Sequence, residues 1–437
     1  MFLLDTPKHN EKNLSFKMSK SYIRTSDIII RKEYFGGIAF NKQNAVNLEL
    51  DKEGFFLLSI LEKPLSLKKI KNKLNLHFSK IFLNSEIKPI LDSLKKNGFV
   101  KIIHLPCNFK KPQKFNENNF LPNVLSAPET VHLSVTGKCN LNCVFCYGKS
   151  KTPDLSKKEI FRMIDTLSSM RVFQLAIGGG EPFLRKDIFE IIDYTRQKNI
   201  IPNITTNGTL ITKEIIEKIK NKIGQLNLSY YENFKKLNDI LQLLIKNNIR
   251  TGINILVTKK NLPVLKNIIN DLLRYDIANI IILRPKPGKN KKWYQQNQFS
   301  KKELNKLKKV LDKYQKKINV DCSLTCLMYN IPKQELQKNS VFGCVAGSRF
   351  CTIKNNGDVF PCSFFNEKDY LAGNIVKTDF EKIWKKSQTF KKFRKLTKKI
   401  KGKCRTCEIK EHCKGCRRIV LEFGDDFYDS DKGCLKR

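Results

Sequence analysis

Three of the fourteen cysteines in this chain have a spacing that could assemble a reactive metal cluster. Cys139, Cys143 and Cys146 form a C-x3-C-x2-C segment. Thiolates are natural ligands of iron–sulfur clusters, and three of them leave the fourth iron of a [4Fe–4S] cubane without a protein ligand. Such an iron can bind another molecule through nitrogen and oxygen donors, as the open position of catalytic zinc does. The alternative is a structural zinc site completed by a distant residue such as His132. The C-x3-C-x2-C spacing directly after a predicted strand favours the cluster.

A second group of eight cysteines lies near the C-terminus and provides two complete sets of four ligands. A cluster with four thiolates has no open iron, so these sites suggest electron transfer more than substrate binding. Two zinc ribbons are the alternative, because C-x2-C pairs are common zinc ligands. The eight residues are Cys344, Cys351, Cys362, Cys404, Cys407, Cys413, Cys416 and Cys434.

Three cysteines remain outside both groups, namely Cys107, Cys322 and Cys326. Cys322 and Cys326 form a C-x3-C pair just after the predicted barrel. We interpret them as buried core thiols, with a cluster or the substrate as the alternative contact.

Alternating strand and helix patterns between residues 130 and 285 position the first three cysteines. The alternation occurs six times, which predicts an α/β fold with a parallel sheet curved into a partial (β/α)6 TIM-like barrel. Chemistry in such sheets lies at the C-terminal ends of the strands, where Cys139 follows the first strand. The predicted strands are Val131–Thr136, Gln174–Ile177, Ile200–Thr205, Gln225–Ser229, Thr251–Val257 and Asn279–Leu283. The predicted helices are Lys157–Met170, Ile188–Lys198, Lys213–Lys220, Phe234–Asn247 and Leu262–Tyr275.

Residues 22–106 have the pattern of a small α+β domain. Short strands, including one over Ile23–Arg31, precede three helical patterns and a final strand, with Gly36–Gly37 expected as a turn. This order predicts an N-terminal winged-helix-like domain.

The remaining boundaries follow from composition. Residues 107–127 are punctuated by prolines and lack any period, which predicts a linker. The barrel core is expected over residues 128–320. Residues 321–437 form a cysteine-rich, irregular iron–sulfur domain that metal is expected to organise more than apolar burial does.

The segment containing Cys139, Cys143 and Cys146 resembles the signature of the radical S-adenosylmethionine (radical SAM) superfamily. The resemblance implies a [4Fe–4S] cluster whose unique iron is chelated by the amino and carboxylate groups of S-adenosylmethionine. It also implies reductive cleavage of that cofactor to a 5′-deoxyadenosyl radical that abstracts hydrogen from a substrate. An electron donor such as ferredoxin or flavodoxin is then required. The sequence identifies no catalytic acid or base.

Gly179, Gly180 and Glu181 resemble the GGE motif of that superfamily. Glycines let the backbone approach a ligand, and a carboxylate pairs with an ammonium group. The resemblance therefore implies that this motif holds the amino group of S-adenosylmethionine, whereas the glycines alone would indicate only a turn.

Three more residues match cofactor-binding positions of the superfamily. Phe145 matches the aromatic position beside the adenine, with simple loop packing as the alternative. Asn207 matches the TNG motif, although Asn-Gly is also an ordinary turn signal. Ser229 stands where relatives contact the ribose. The sequence Ser229-Tyr230-Tyr231-Glu232 departs from the Ser-Ile-Asp-Gly of those relatives, which puts the ribose contact in doubt.

The C-terminal cysteines resemble the SPASM domain that follows many radical SAM cores. The resemblance implies two auxiliary [4Fe–4S] clusters, and therefore three clusters in all. Cys404–Cys416 departs from the C-x2-C-x5-C-x3-C pattern only in its last spacing, which is x2. The implied ligand sets are Cys344, Cys351, Cys362 and Cys416 for one cluster, and Cys404, Cys407, Cys413 and Cys434 for the other.

The N-terminal domain resembles PqqD-like peptide-recognition domains in size, element order and position. Phe35-Gly36-Gly37 and the Leu50–Leu58 stretch are the sequence cues. Such domains imply capture of a leader peptide by strand addition at a sheet edge. The predicted function is therefore maturation of a ribosomally synthesised peptide. The alternative is modification of a small acidic molecule such as a haem or tetrapyrrole precursor. A nucleic-acid-binding winged helix on an iron–sulfur scaffold is a third class, which the intact GGE motif argues against.

The chain is strongly basic, with 83 Lys and Arg against 41 Asp and Glu and a formal net charge of +42. Compositional drift is one account, and an acidic partner is the other. No apolar run is as long as a membrane span, and Met1–Lys20 lacks the features of a signal peptide. The sequence predicts a cytoplasmic protein without a membrane partner.

Overall fold

The computed structural model describes residues 20–104, 120–231, 236–314, 317–338, 341–423 and 426–435. The chain divides into two compact units, residues 1–119 and 120–437. Cys107, most of the predicted linker and the segment before residue 20 lie outside the described residues.

The N-terminal unit is an α+β domain with two three-stranded antiparallel sheets and three helices. Its elements are β1 (Ser21–Arg24), β2 (Ile28–Glu33), β3 (Gly36–Asn41), β4 (Val46–Leu50), α1 (Lys52–Ile60), β5 (Leu65–Ser66), α2 (Leu67–Phe78), α3 (Asn84–Lys96) and β6 (Val100–Ile103). The sheets have the strand orders β5-β1-β6 and β2-β3-β4. Leu58, Leu61, Ile70 and Leu91 are fully buried in their common core.

Two local predictions in this unit were wrong. The strand predicted over 23–31 is two strands, because the chain turns where the Ile28 N–H donates to the Thr25 carbonyl at 3.1 Å. Gly36 and Gly37 lie in β3 rather than in a turn. A Cβ on Gly37 would lie 2.1 Å from the Phe55 ring, so glycine is needed for α1 to pack on this strand.

The second unit is built on a parallel sheet flanked by helices. Its elements are β7 (Thr130–Thr136), α4 (Lys157–Ser169), β8 (Gln174–Gly179), α5 (Ile188–Gln197), β9 (Ile201–Thr206), α6 (Lys213–Ile219), β10 (Gln225–Ser229), α7 (Leu237–Lys246), β11 (Thr251–Leu256), α8 (Leu265–Leu272), β12 (Asn279–Leu283), α9 (Lys291–Asn297), α10 (Lys301–Tyr314) and β13 (Ile318–Val320). Strands β7 to β13 pair in chain order and run parallel, which confirms the predicted partial barrel.

The two faces of this sheet differ, as the two-residue period of a strand requires. On β7, Val131, Leu133 and Val135 are almost completely buried in the core that the helices share. His132, between Val131 and Leu133, belongs to the opposite face. The predicted start of the fourth helix at residue 234 lies outside the described residues, and α7 begins at Leu237.

The cysteine-rich region continues the same sheet. It contains α11 (Lys333–Lys338), β14 (Phe350–Ile353), β15 (Asp358–Phe360), β16 (Gly373–Asn374), α12 (Phe380–Lys386), α13 (Gln388–Arg394), α14 (Leu396–Lys399), α15 (Lys410–Cys413) and α16 (Arg417–Glu422), with a 3₁₀ helix at Cys322–Met328 before them. Strand β14 pairs in parallel with β7, and β15 and β16 follow it at the edge.

Apolar burial contributes more to this region than the sequence suggested. The Trp384 and Phe390 side chains are fully buried, and the Trp384 indole N–H donates to the Leu125 carbonyl at 2.8 Å. No helix within the described ranges has the length and apolar character needed to cross a membrane.

Candidate active site and cluster-binding cysteines

The loop that carries Cys139, Cys143 and Cys146 begins where β7 ends, at Thr136. All three side chains are partly exposed. The Asp154 carboxylate fixes the start of the loop, because it accepts hydrogen bonds from Thr136 Oγ1 at 2.6 Å and from the Gly137 N–H at 2.9 Å.

The end of β8 lies directly against this loop. The Gly180 N–H donates to the Thr136 carbonyl, and the Glu181 N–H donates to the Lys138 carbonyl, both at 2.8 Å. A Cβ on Gly180 would lie 1.8 Å from the Lys138 oxygen. Only glycine therefore permits this approach of the two backbones, and Gly179, with a φ of +112°, turns the chain into it.

Glu181 is almost completely buried at the centre of this arrangement, with 1% of its surface exposed. Its Oε1 accepts a hydrogen bond from Thr206 Oγ1 at 2.8 Å, and its Oε2 accepts one from the Asn207 N–H at 2.9 Å. Burial raises the pKa of the carboxyl, and these donors oppose that rise. A carboxylate has about four acceptor positions, so room remains for an ammonium donor.

Asn207 joins the end of β9 to the cysteine loop. Its Nδ2 donates to Asn140 Oδ1 at 2.9 Å and lies 3.9 Å from Cys139 Sγ, while its Oδ1 accepts from the Thr209 N–H at 2.9 Å. The structure thus places this residue of the TNG sequence beside the first cysteine.

Tyr231 was missed by the sequence reasoning. It follows Ser229 at the end of β10, and its hydroxyl lies 3.8 Å from Cys143 Sγ. Burial and the neighbouring Cys143 raise the pKa of this hydroxyl, while a hydrogen bond with Ser229 lowers it. The departure from Ser-Ile-Asp-Gly therefore puts a tyrosine against the cysteine loop, a contact that no motif in the sequence indicates.

Phe145, directly before Cys146, contacts an aromatic residue of α9. Its ring centroid is 5.5 Å from that of Trp293 on α9, with an angle of 48° between the rings. The Phe145 ring is only partly buried, so one part of it is accessible beside the cysteines.

The residues of this loop fit an iron–sulfur cluster. Three partly exposed thiols share one loop, and the Leu141 N–H donates to Cys139 Sγ at 3.4 Å. His132, the alternative zinc ligand, bonds through Nδ1 to Ser363 Oγ at 3.2 Å. Across the described ranges, no three His, Cys, Asp or Glu side chains are grouped closely enough to share one metal ion.

Four of the C-terminal cysteines line one recess with about 360 Å³ of empty space. Burial raises the pKa of the Cys413 thiol to about 12, although the Gly415 N–H, which donates to Cys413 Sγ at 3.4 Å, lowers it. These thiols and this space fit the second predicted ligand set. The predicted members are Cys404, Cys407, Cys413 and Cys434, and Cys326 also lines the recess.

The other predicted ligand set is only partly brought together. Cys344 and Cys362 pack against one aromatic cluster that includes Phe360 and Phe365. Burial raises the pKa of the Cys416 thiol to about 12, and the charge of nearby Cys344 adds to that rise. Cys351 is fully buried in the main core of the second unit.

Two family models match the chain. Residues 133–272 match the radical SAM superfamily, and residues 344–408 match an iron-sulfur cluster-binding domain, SPASM. Both matches fall within the second unit.

Characterised relatives include two kinds of enzyme. The AdoMet-dependent heme synthase of Methanosarcina barkeri is 27% identical over 347 residues, which cover 71% of this chain and 97% of that protein. The mycofactocin maturase MftC of Mycobacterium tuberculosis is 26% identical over 336 residues, which cover 71% of this chain and 84% of that protein.

Among solved structures, Streptococcus suis SuiB bound to precursor peptide SuiA has the same fold. The TM-score is 0.69 at 20% identity, and the match covers 95% of this chain and 100% of that chain.

Proposed function

Because the chain belongs to the radical SAM superfamily and carries a SPASM iron–sulfur cluster-binding domain, we propose that it matures a ribosomally synthesised peptide. The observation that carries this proposal is the extent of the structural match. SuiB, solved with a precursor peptide, matches 95% of this chain in structure, whereas the sequence matches to the heme synthase and MftC each cover 71% of it. A peptide-binding enzyme therefore accounts for the N-terminal unit as well as the barrel.

In this proposal Cys139, Cys143 and Cys146 hold the catalytic cluster. The bound cluster and S-adenosylmethionine would supply a 5′-deoxyadenosyl radical that abstracts hydrogen from the substrate. The backbone at Gly179 and Gly180 holds the loop in register, and Glu181 offers its remaining acceptor position to the cofactor's ammonium.

Three further residues complete the proposed cofactor site. Asn207 orients the loop at Cys139 through Asn140, and the partly exposed ring of Phe145 would contact the adenine. Ser229 would approach the ribose, with Tyr231 between it and Cys143. Two auxiliary clusters in the C-terminal region would bring the total to three and carry electrons.

The edge strand β4 is the proposed site of peptide capture, as in PqqD-like domains. It pairs with β3 on one side, and within the described residues β4 ends the β2-β3-β4 sheet. An extended peptide can add to such an edge through main-chain hydrogen bonds. Val46 shares a sheet face with Leu48 and Leu50, which belong to the core under α1, and it is 44% exposed. It would therefore contact a side chain of the added strand.

The net charge of +42 suits the partners of this reaction. An acidic leader peptide and an acidic electron donor such as ferredoxin or flavodoxin would both be steered toward the enzyme. Clusters built on thiolates also require a reducing compartment, so we place the protein in the cytoplasm.

Modification of a carboxylated tetrapyrrole is the second candidate. The match to the heme synthase covers 97% of that protein, which favours it. The buried cations Arg284 and Lys286 at the end of β12 could meet carboxylates, but Arg284 is 3.6 Å from Asp431 and Lys286 is paired with Asp321. These existing ion pairs leave the tetrapyrrole less well supported.

The deciding experiment uses the full chain reconstituted anaerobically with iron and sulfide. Reduced enzyme and S-adenosylmethionine are incubated with a candidate precursor peptide that carries an acidic leader or with a carboxylated tetrapyrrole, and 5′-deoxyadenosine and substrate mass are measured. The proposal expects a mass change in the peptide alone. A change in the tetrapyrrole alone would refute peptide maturation, and absence of 5′-deoxyadenosine with either substrate would refute the radical chemistry.

A further inference from the structure

The 3₁₀ helix Cys322–Met328 places a thiol beside the incomplete set of Cys344, Cys362 and Cys416. Asp321, directly before Cys322, forms a buried ion pair with Lys286. The Lys286 Nζ also lies 4.6 Å from the centroid of the Phe364 ring, two residues beyond Cys362. The start of this helix is therefore next to the segment that carries Cys362.

A second chain of contacts links the same helix to Cys416. Arg284 donates to the carbonyl of Ser323, the residue after Cys322, at 3.2 Å, and it lies 3.6 Å from Asp431. Asp431 in turn accepts a hydrogen bond from the Cys416 N–H at 2.9 Å. Arg284 and Asp431 thus connect the backbone next to Cys322 with the backbone of Cys416.

The Cys322 side chain itself is exposed to solvent. The residues on both sides of it are held in place, because Asp321 pairs with Lys286 and the Ser323 carbonyl accepts a hydrogen bond from Arg284.

Cys351, which the resemblance to the SPASM domain implied as a ligand of this cluster, directly precedes Thr352 on β14. Thr352 Oγ1 is 2.9 Å from the hydroxyl of Ser363, the neighbour of Cys362, so this face of β14 is turned toward the ligand segment. The next residue along a strand points the opposite way. Cys351 is accordingly paired with Val131 and has none of its surface exposed.

The surroundings of Cys351 are those of a core thiol. Burial raises the pKa of the Cys351 thiol, and the positive charge of Arg394 lowers it. The Arg394 guanidinium lies 4.4 Å from the centroid of the Trp384 ring. Trp384 and Arg394 belong to α12 and α13. Cys351 and Trp384 are fully buried in the main core of the second unit, whereas Cys344 and Cys362 pack against a separate aromatic cluster.

Cys326 points toward the other ligand set. It lines the recess of Cys404, Cys407, Cys413 and Cys434, and its Sγ is 3.6 Å from the carbonyl of Gly433. Residues four apart in a 3₁₀ helix are separated by about 8 Å along the axis and about 120° around it. One short helix can therefore present one thiol to each site.

We propose that Cys322 is the fourth ligand of the auxiliary [4Fe–4S] cluster held by Cys344, Cys362 and Cys416, and that Cys351 is a core thiol. This assignment rests on the proposed function, because it requires the auxiliary clusters. It also explains why the C-x3-C pair lies directly after the last barrel strand.

The test compares Cys322→Ser with Cys351→Ser in the full chain after anaerobic reconstitution. Wild-type protein is expected to hold about twelve irons, C322S about eight, and C351S about twelve. Low-temperature EPR of the reduced proteins should show one signal lost in C322S only. A C322S variant with about twelve irons and all EPR signals would overturn the assignment. So would a C351S variant that loses about four irons and one EPR signal while C322S keeps them.

A second measurement uses wild-type protein, so that the assignment can be tested even if a variant does not fold. Iodoacetamide should alkylate Cys322 in cluster-free protein and leave it unmodified after reconstitution, as mass spectrometry of peptides would show. Equal alkylation of Cys322 in both states would overturn the assignment. A wild-type count near four irons would instead overturn the auxiliary clusters and hence the proposed function, which separates the two failures.

Discussion

Replacing Gly180 with alanine tests whether the contact between β8 and the cysteine loop controls the catalytic cluster. A Cβ on Gly180 lies 1.8 Å from the Lys138 oxygen, and real contacts of a Cβ stay beyond 3.0 Å. The two backbones must therefore separate by about 1.2 Å, the difference between these distances. Lys138 is bonded to Cys139, so the displacement passes directly to the first predicted cluster ligand.

The expected effect of this displacement is large. Misplacement of a reacting group by about 1 Å can lower a rate by about 10²-fold, and overpacking of a tight contact costs about 1–3 kcal/mol. We expect G180A to form 5′-deoxyadenosine at least about 10²-fold more slowly than wild type. The assay is anaerobic turnover of S-adenosylmethionine with dithionite, followed by chromatography, with iron counted in the same samples.

Gly288→Ala is the matched control. A Cβ on Gly288 would lie 3.9 Å from the carbonyl oxygens of Phe145 and Cys146, an ordinary contact on the same loop. We expect this variant to keep its rate to within about twofold. Circular dichroism of both variants would show whether the fold is retained. A folded G180A that keeps the wild-type rate and iron content would refute the steric argument.

Three other predictions concern the loop and the proposed peptide site. Cys143→Ala should lose about four irons and all 5′-deoxyadenosine formation, and undiminished formation would rule out the catalytic assignment. Asp154→Asn replaces the carboxylate that accepts from the Thr136 hydroxyl and the Gly137 N–H with an amide that is partly a donor. The variant should be less stable by about 1–3 kcal/mol, measured as a lower thermal midpoint. An unchanged midpoint would show that Asp154 does not stabilise the start of the loop. Val46→Glu should raise the KM for the precursor peptide while leaving peptide-independent cleavage of S-adenosylmethionine unchanged, and an unaltered KM would argue against capture at β4.

The barrel could be predicted from the sequence because its strands are buried and its helices are amphipathic. Runs such as Leu226–Leu228 and Ile280–Ile282 are apolar at alternate positions, and each is followed by a helix with a three- and four-residue period. The strand order then follows from short right-handed connections. Local periodicity was therefore sufficient to predict the strands and helices of the barrel.

Contacts between distant segments were beyond such reasoning. Nothing in the sequence of β14 indicates that it pairs with β7, more than two hundred residues earlier. Nor does the spacing of Tyr231 indicate that its hydroxyl approaches Cys143. The motif residues Glu181 and Asn207 were identified by their types, but the hydrogen bonds that join them became visible only in the structure.

The fourth ligand shows most clearly why spacing along the chain is not sufficient. Cys351 lies between Cys344 and Cys362, where a further ligand would be expected. In a strand, however, successive side chains point to opposite faces of the sheet. Which face Cys351 occupies is known only when the register of β14 with its neighbouring strand is known. The pairing of Cys351 with Val131 puts the thiol on the apolar face, while Thr352 meets Ser363 on the other. Register is set by long-range pairing, so a cysteine pattern alone can suggest how many thiols a cluster needs without identifying which thiols reach it.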